Sequence, residues 1–225
     1  MQAHLATAAA VALALLVGTK FLRGRIYDLL IVQLTAGWYK AVLDDLPATA
    51  RVLDVGIGTG QALLQNLDLV REKAIVVDGV DYDADYVADC HANIARAGCQ
   101  DAVSVQHASI YDFAPATTYG AVYFSASLMI MPDPVAALRH CTFFLAPGGH
   151  IYVTQTIQTR SSRLVEMGKP LLKFFTTIDF GAATYEADLL RTFQAAGLNV
   201  LDERCLSGAT KDSVRSYRMY KLAPQ

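Results

Sequence analysis

The chain has 225 residues, enough for one sizeable α/β domain and too few for two ordinary ones. It is 53% hydrophobic and 18% charged with a formal net charge of −2, which argues against a general nucleic-acid binder, since such proteins carry a basic excess. Its four cysteines, Cys90, Cys99, Cys141 and Cys205, form no C-x-x-C pair, and Cys90-His91 has no second pair at zinc-ligand spacing, so reduced structural thiols and no metal site are expected.

The mean hydropathy of +0.29 is high for a soluble domain, and the N-terminus carries the excess. Residues 5–17 read LATAAAVALALLV, and with Phe21 and Leu22 the apolar stretch reaches the length of a membrane span. A signal peptide would carry basic residues before its apolar core, and a transit peptide would be arginine-rich and amphipathic; neither pattern is present. Two readings stay open: a single membrane anchor over residues 1–22, touching lipid through residues 3–22, or a buried helix docked in a partner protein. Lys20, Arg23 and Arg25 follow the stretch, so an anchor would leave the main domain on the cytosolic or matrix side, in the mitochondrial inner membrane or the endoplasmic reticulum.

Residues 23–50 form a lead segment, in which residues 26–46 read as an amphipathic helix with Ile26, Leu29, Leu30, Val32, Leu34 and Trp38 on its apolar face, closed by Pro47. From residue 51 to 225 strand and helix signals alternate. Strands are predicted at 51–55, 74–81, 103–107, 119–125 and 150–156, with helices at 61–70, 83–97, 135–145 and 185–196. Two last strands cover 199–205 and 215–222. This order implies a doubly wound, mostly parallel seven-stranded sheet with helices on both faces.

The chemistry begins at the end of the first strand. Asp54-Val55-Gly56-Ile57-Gly58-Thr59-Gly60 places an acid two residues before a glycine turn that opens a helix, the position at which an open α/β sheet binds nucleotides. The second strand ends in Gly79-Val80-Asp81-Tyr82-Asp83, where a carboxylate can accept hydrogen bonds from both hydroxyls of a ribose.

With these two elements the chain resembles the class I S-adenosylmethionine (SAM) dependent methyltransferases, over roughly residues 27–221. The segment Leu145-Ala146-Pro147-Gly148-Gly149 looks like that family's turn before its fifth strand, and the last two strands like its antiparallel edge. The resemblance implies that Asp54, Gly56, Gly58 and Gly60 hold the methionine part of SAM, that Asp81 holds the ribose, and that Tyr82 lies against the adenine. S-adenosylhomocysteine would be the product. After the third strand the family often has an acid; here Ser109 stands in, either contacting adenine or as a surface residue.

The run after the fourth strand, Phe124-Ser125-Ala126-Ser127-Leu128-Met129-Ile130-Met131-Pro132, lacks the N/D-P-P-Y/F tetrapeptide of amine and amide methylation and the Pro-Cys of cytosine methylation. Ser125 and Ser127 are open as acceptor contacts, Ser125 also as a cofactor contact, with helix capping or core packing as the alternative. His107, at a strand end on the cofactor edge, is the histidine to test first as a base, with a structural role as the alternative; Tyr27 and Tyr185 are candidates for closing the acceptor pocket. Residues 160–180 combine Arg160, Arg163, Lys169 and Lys173 with Leu164, Leu171, Phe174 and Phe175, as a substrate lid, a membrane-facing segment or an ordinary cap helix would. Two functions follow: a membrane-anchored methyltransferase acting on a small apolar or lipid-like acceptor, or a methyltransferase-fold accessory subunit of a membrane complex.

Overall fold

A computed structural model describes residues 32–158, 184–211, 213 and 215–225. The predicted anchor at 1–22, Tyr27 and the basic-apolar segment 160–180 lie outside the described residues. Among the described residues no helix is long and apolar enough to cross a membrane.

Seven strands form one sheet in the order β3-β2-β1-β4-β5-β7-β6. They are β1 (Arg51–Val55), β2 (Val76–Asp81), β3 (Val103–His107), β4 (Tyr119–Ser125), β5 (Leu145–Gln158), β6 (Leu198–Cys205) and β7 (Arg215–Pro224). The first five run parallel, and β7 lies antiparallel between β5 and β6. The chain order reverses between β1 and β4, so their C-terminal ends open a crevice at the switch point.

Alternate residues of each strand feed opposite faces, as the two-residue repeat of a strand requires. On one face Leu53, Val122, Phe124, Ile151 and Tyr220 pack against α5 (Pro134–Thr142) and α6 (Glu186–Ala195). On the other, Val52, Val77, Tyr123, Tyr152 and Met219 pack against α1 (Gln33–Asp45), α2 (Gln61–Leu64), α3 (Leu67–Glu72) and α4 (Ala84–Ala97). α1 is therefore part of the core, and its buried face is Thr35, Trp38, Tyr39, Val42 and Leu43.

Helix ends follow their sequence signals. Asp83 caps α4 by accepting from the amides of Asp85 and Tyr86, and Gly98 ends it in the left-handed conformation. Asp133 caps α5 at the amide of Ala136, with Pro134 in the first turn.

Two local expectations are corrected. The single helix predicted over 61–70 is two short helices, because the Asn66 amide donates to the carbonyls of Ala62 and Ala36 and ties the break to α1. The glycine turn before the fifth strand is a bulge inside β5: the partners of Tyr119 and Ala121 are Leu145 and His150. Gly149 is pressed there against backbone, where a Cβ would meet the carbonyls of Ala146 and Tyr119 at 2.9 Å each.

Candidate active site

β1 delivers the glycine loop to the crevice, and β2 holds it in place. Gly56, Gly58 and Gly60 have φ of +79°, +60° and +73°, a region that side-chain-bearing residues adopt only at a cost. Space is also short: a Cβ on Gly56 would lie 2.6 Å from Ser127 Cβ, and one on Gly60 2.8 Å from Cys90 Sγ. The Gly56 amide donates to the Val80 carbonyl and the Gly58 amide to Asp81 Oδ2 at 2.9 Å.

Asp81 thus staples the loop to β2 before it meets any ligand. Its other oxygen accepts from the Asp83 amide at 2.9 Å. Four acceptor positions on a carboxylate less two amide bonds leave capacity for ribose hydroxyls. Burial pushes its pKa up, against the backbone amides that stabilise the charge. Beside it Tyr82, the residue after the C-terminal end of β2, is 68% exposed.

Asp54 is wholly buried at the end of β1. The Tyr39 hydroxyl from α1 donates to its Oδ2 at 2.7 Å, while Oδ1 has no partner. Burial pushes its pKa up to about 7; the Tyr39 bond opposes the rise and Asp81 adds to it. Sequence reasoning did not single out Tyr39, which follows Trp38 on the lead helix. The signal was indirect: a strand-end acid destined for burial needs a donor from an element packed over it.

The crevice is lined by Val32, which precedes α1, by Thr35 and Tyr39 of α1, by the glycine loop and by Ser125 at the end of β4. Ser125 Oγ is buried without a partner. Next to it Ala126 has φ +55°, and Ser127 donates its hydroxyl to the Val55 carbonyl, locking the β4 exit onto β1. Ser127 is therefore bonded to backbone, while Ser125 borders the open space.

His107 ends β3, and its Nε2 lies 2.9 Å from the Tyr82 carbonyl. At ~4.8 Å per strand it stands roughly 14 Å across the sheet from β4, a placement that suits holding the Tyr82 segment. Ser109 Oγ accepts from the Tyr111 amide and closes the turn after β3. Tyr185 forms an isolated bridge with Gln158 at the start of α6. Among the described residues no cluster of His, Cys, Asp and Glu could hold a metal ion.

The ligand implied by the resemblance fits this donor set. Three left-handed glycines keep the loop bare for close approach, an unpartnered buried carboxyl oxygen stands behind it, and Asp81 retains acceptor capacity one strand away.

Comparison with known proteins agrees. The model of a family described as "Methyltransferase domain" matches residues 30–203. A ubiquinone biosynthesis O-methyltransferase of Xanthomonas axonopodis pv. citri is 34% identical over 115 residues, 50% of this chain and 46% of that protein. The chain therefore spans about half the length of that curated relative. Mitomycin 7-O-methyltransferase MmcR superposes with a TM-score of 0.68 at 17% identity, covering 86% of this chain and 54% of that one. Geranyl diphosphate C-methyltransferase from Streptomyces coelicolor A3(2), solved with Mg2+, geranyl diphosphate and S-adenosyl-L-homocysteine, gives 0.65 at 14% identity, covering 84% and 78%.

Proposed function

This chain belongs to the class I SAM-dependent methyltransferases, and from that premise we propose that it methylates a hydroxyl oxygen on a small, largely apolar acceptor. The observation that carries the reading is the glycine loop, held left-handed at three positions between buried Asp54 and the Asp81 staple. SAM supplies a methyl group on a sulfonium, so transfer to a hydroxyl yields the thioether product and one proton to be removed. The protein's part is mainly alignment, which needs a rigid floor for the donor and a wall for the acceptor. Ser127, fixed to the Val55 carbonyl, makes the β4 exit such a floor; Val32 before α1 and Tyr39 within it form the wall beside Ser125.

Two considerations support the acceptor class. One relative acts in ubiquinone biosynthesis and a structural neighbour bears the name of a 7-O-methyltransferase, so hydroxyl methylation occurs among proteins of related sequence or shared fold. The apolar N-terminal stretch is compatible with work near a membrane, where such acceptors reside.

Thermal unfolding of the full chain with SAM or S-adenosylhomocysteine tests the first half of the reading. Ligand at about 100 times its Kd adds ~2.7 kcal/mol, or roughly 5–11 °C for a domain of this size, and Asp81→Ala removes the shift. A panel of phenolic, polyprenylated and aliphatic alcohols, set beside matched amines and carboxylates, with labelled SAM tests the second half. Label appearing only in amine or carboxylate acceptors would overturn it.

A further inference from the structure

We propose that Tyr111 is a positioning residue for the acceptor: it clamps the loop that follows β4 and thereby holds Ile130 as an apolar contact for the incoming hydroxyl compound. This rests on the functional reading above and deepens it, since it names what fixes the acceptor side of the crevice.

The clamp is one hydroxyl group on one peptide residue. The Tyr111 hydroxyl donates to the Asp133 carbonyl at 2.9 Å and accepts from the Asp133 amide at 2.9 Å. A phenolic oxygen can do both at once. In the sheet β2 and β1 lie between β3 and β4, so this contact joins the segment after β3 to the loop after β4 across two intervening strands. Tyr111 has a firm base for the reach. Ile110 and Phe113 on either side of it are buried, and its own ring packs against the same core. Ser109 Oγ holds its amide.

The loop after β4 is thus pinned at both ends. At its start Ser127 donates to the Val55 carbonyl and stands against Gly56 of the glycine loop. At its end the Asp133 backbone is held by Tyr111, and the Asp133 carboxylate caps α5 at the Ala136 amide. Capping needs only that carboxylate; the two-way bond from a residue 22 positions earlier fixes the backbone as well. Between the pins Leu128 is buried in the core and Met131 packs against it, while Ile130 is 36% exposed. Ile130 is therefore a large apolar side chain left in solvent on a loop that leaves β4 beside Ser125, a residue of the crevice lining. A contact surface fixed in advance loses less conformational freedom when an acceptor settles on it, and it keeps the reacting hydroxyl in line.

The test uses the full chain with labelled SAM and two acceptors, 4-nonylphenol and 4-ethylphenol, and measures S-adenosylhomocysteine binding separately by calorimetry. Tyr111→Phe keeps the ring and removes the clamp. It should raise the KM for 4-nonylphenol about tenfold, the range of a pair of hydrogen bonds, with the KM for SAM and the Kd for S-adenosylhomocysteine within about twofold. Asp133→Ala removes the cap but keeps the carbonyl and amide that Tyr111 holds, so it should lower the unfolding midpoint and leave the KM for 4-nonylphenol within about twofold. Ile130→Ser should lower kcat/KM for 4-nonylphenol about threefold or more relative to 4-ethylphenol, through lost apolar contact. An unchanged KM for 4-nonylphenol in folded Tyr111→Phe would overturn the inference. So would an equal rise in Tyr111→Phe and Asp133→Ala, or an equal rise for SAM and the phenol. If Tyr111→Phe does not fold, Ile130→Ser decides, and an unchanged ratio between the two phenols overturns the inference. Binding of S-adenosylhomocysteine by the unaltered chain without methylation of either phenol would instead overturn the acceptor class on which the inference rests.

Discussion

Gly60 and Gly98 share a backbone conformation and differ in what surrounds them, so one substitution at each separates strain from site geometry. Gly60 (φ +73°) opens α2 with the Cys90 thiol 2.8 Å from where a Cβ would stand; Gly98 (φ +59°) ends α4 with nothing within 4 Å. Left-handed φ alone costs an alanine ~1–2 kcal/mol. Gly98→Ala should lose about that in urea unfolding and keep its affinity for S-adenosylhomocysteine. Gly60→Ala should lose ~2–4 kcal/mol, strain plus a buried clash, and weaken that ligand at least tenfold. Equal effects on binding would mean that the loop tolerates movement and that its glycines serve the fold alone. At this scale the motif was legible because glycine and aspartate are demanded by backbone and charge, whatever the rest of the chain does. Tyr39 was not legible: nothing in its neighbours in sequence tells that α1 lays its hydroxyl against Asp54, fifteen residues on.

Elements bounded by local chemistry came out where their residues predict them. β1 and β4 span the predicted ranges as largely apolar runs stopped by a turn, β3 does so as a short alternating strand, and α4 ends at its predicted glycine because Gly98 takes the left-handed conformation. Elements bounded by tertiary contact did not. The break between α2 and α3 depends on Asn66 reaching α1, and the early start of β5 depends on Gly149 lying against the Tyr119 carbonyl. Asp83 offers a test at this scale. It caps α4 through two amides, and the same turn presents its own amide to Asp81. Asp83→Ala should cost ~1 kcal/mol of stability, the usual loss of a cap. Because the Asp83 amide survives the change, affinity for S-adenosylhomocysteine should fall less than about threefold. A much larger loss would show that the cap also sets the position of Asp81.

Across the whole molecule two carboxyls on either side of α1 respond to pH with opposite sign. Asp45, at the end of α1, is held by Lys221 of β7, Arg204 of β6 and Tyr152 of β5, and so fastens the helix to the antiparallel edge. Burial raises its pKa, but those three partners outweigh burial and bring it from an ordinary 3.8 down to about 2. Its contribution is present above pH 3.8 and lost as pH falls through 2. Asp54 behaves in reverse: with its pKa raised from 3.8 to about 7, its neutral form favours folding fully below pH 3.8, and that advantage disappears as pH rises through 7. About three pKa units correspond to on the order of 4 kcal/mol. The ligand-free protein should therefore be most stable in mildly acidic solution and lose stability between pH 5 and about 8, a decline that Asp54→Asn flattens. Saturating S-adenosylhomocysteine should flatten it as well, because the bound state favours a charged Asp54. Unfolding midpoints in urea across that range, for the unaltered chain and Asp54→Asn with and without ligand, give the four curves needed. Parallel curves for the two proteins would place the pH sensitivity elsewhere. A ligand effect persisting undiminished in Asp54→Asn would separate donor binding from this carboxyl altogether.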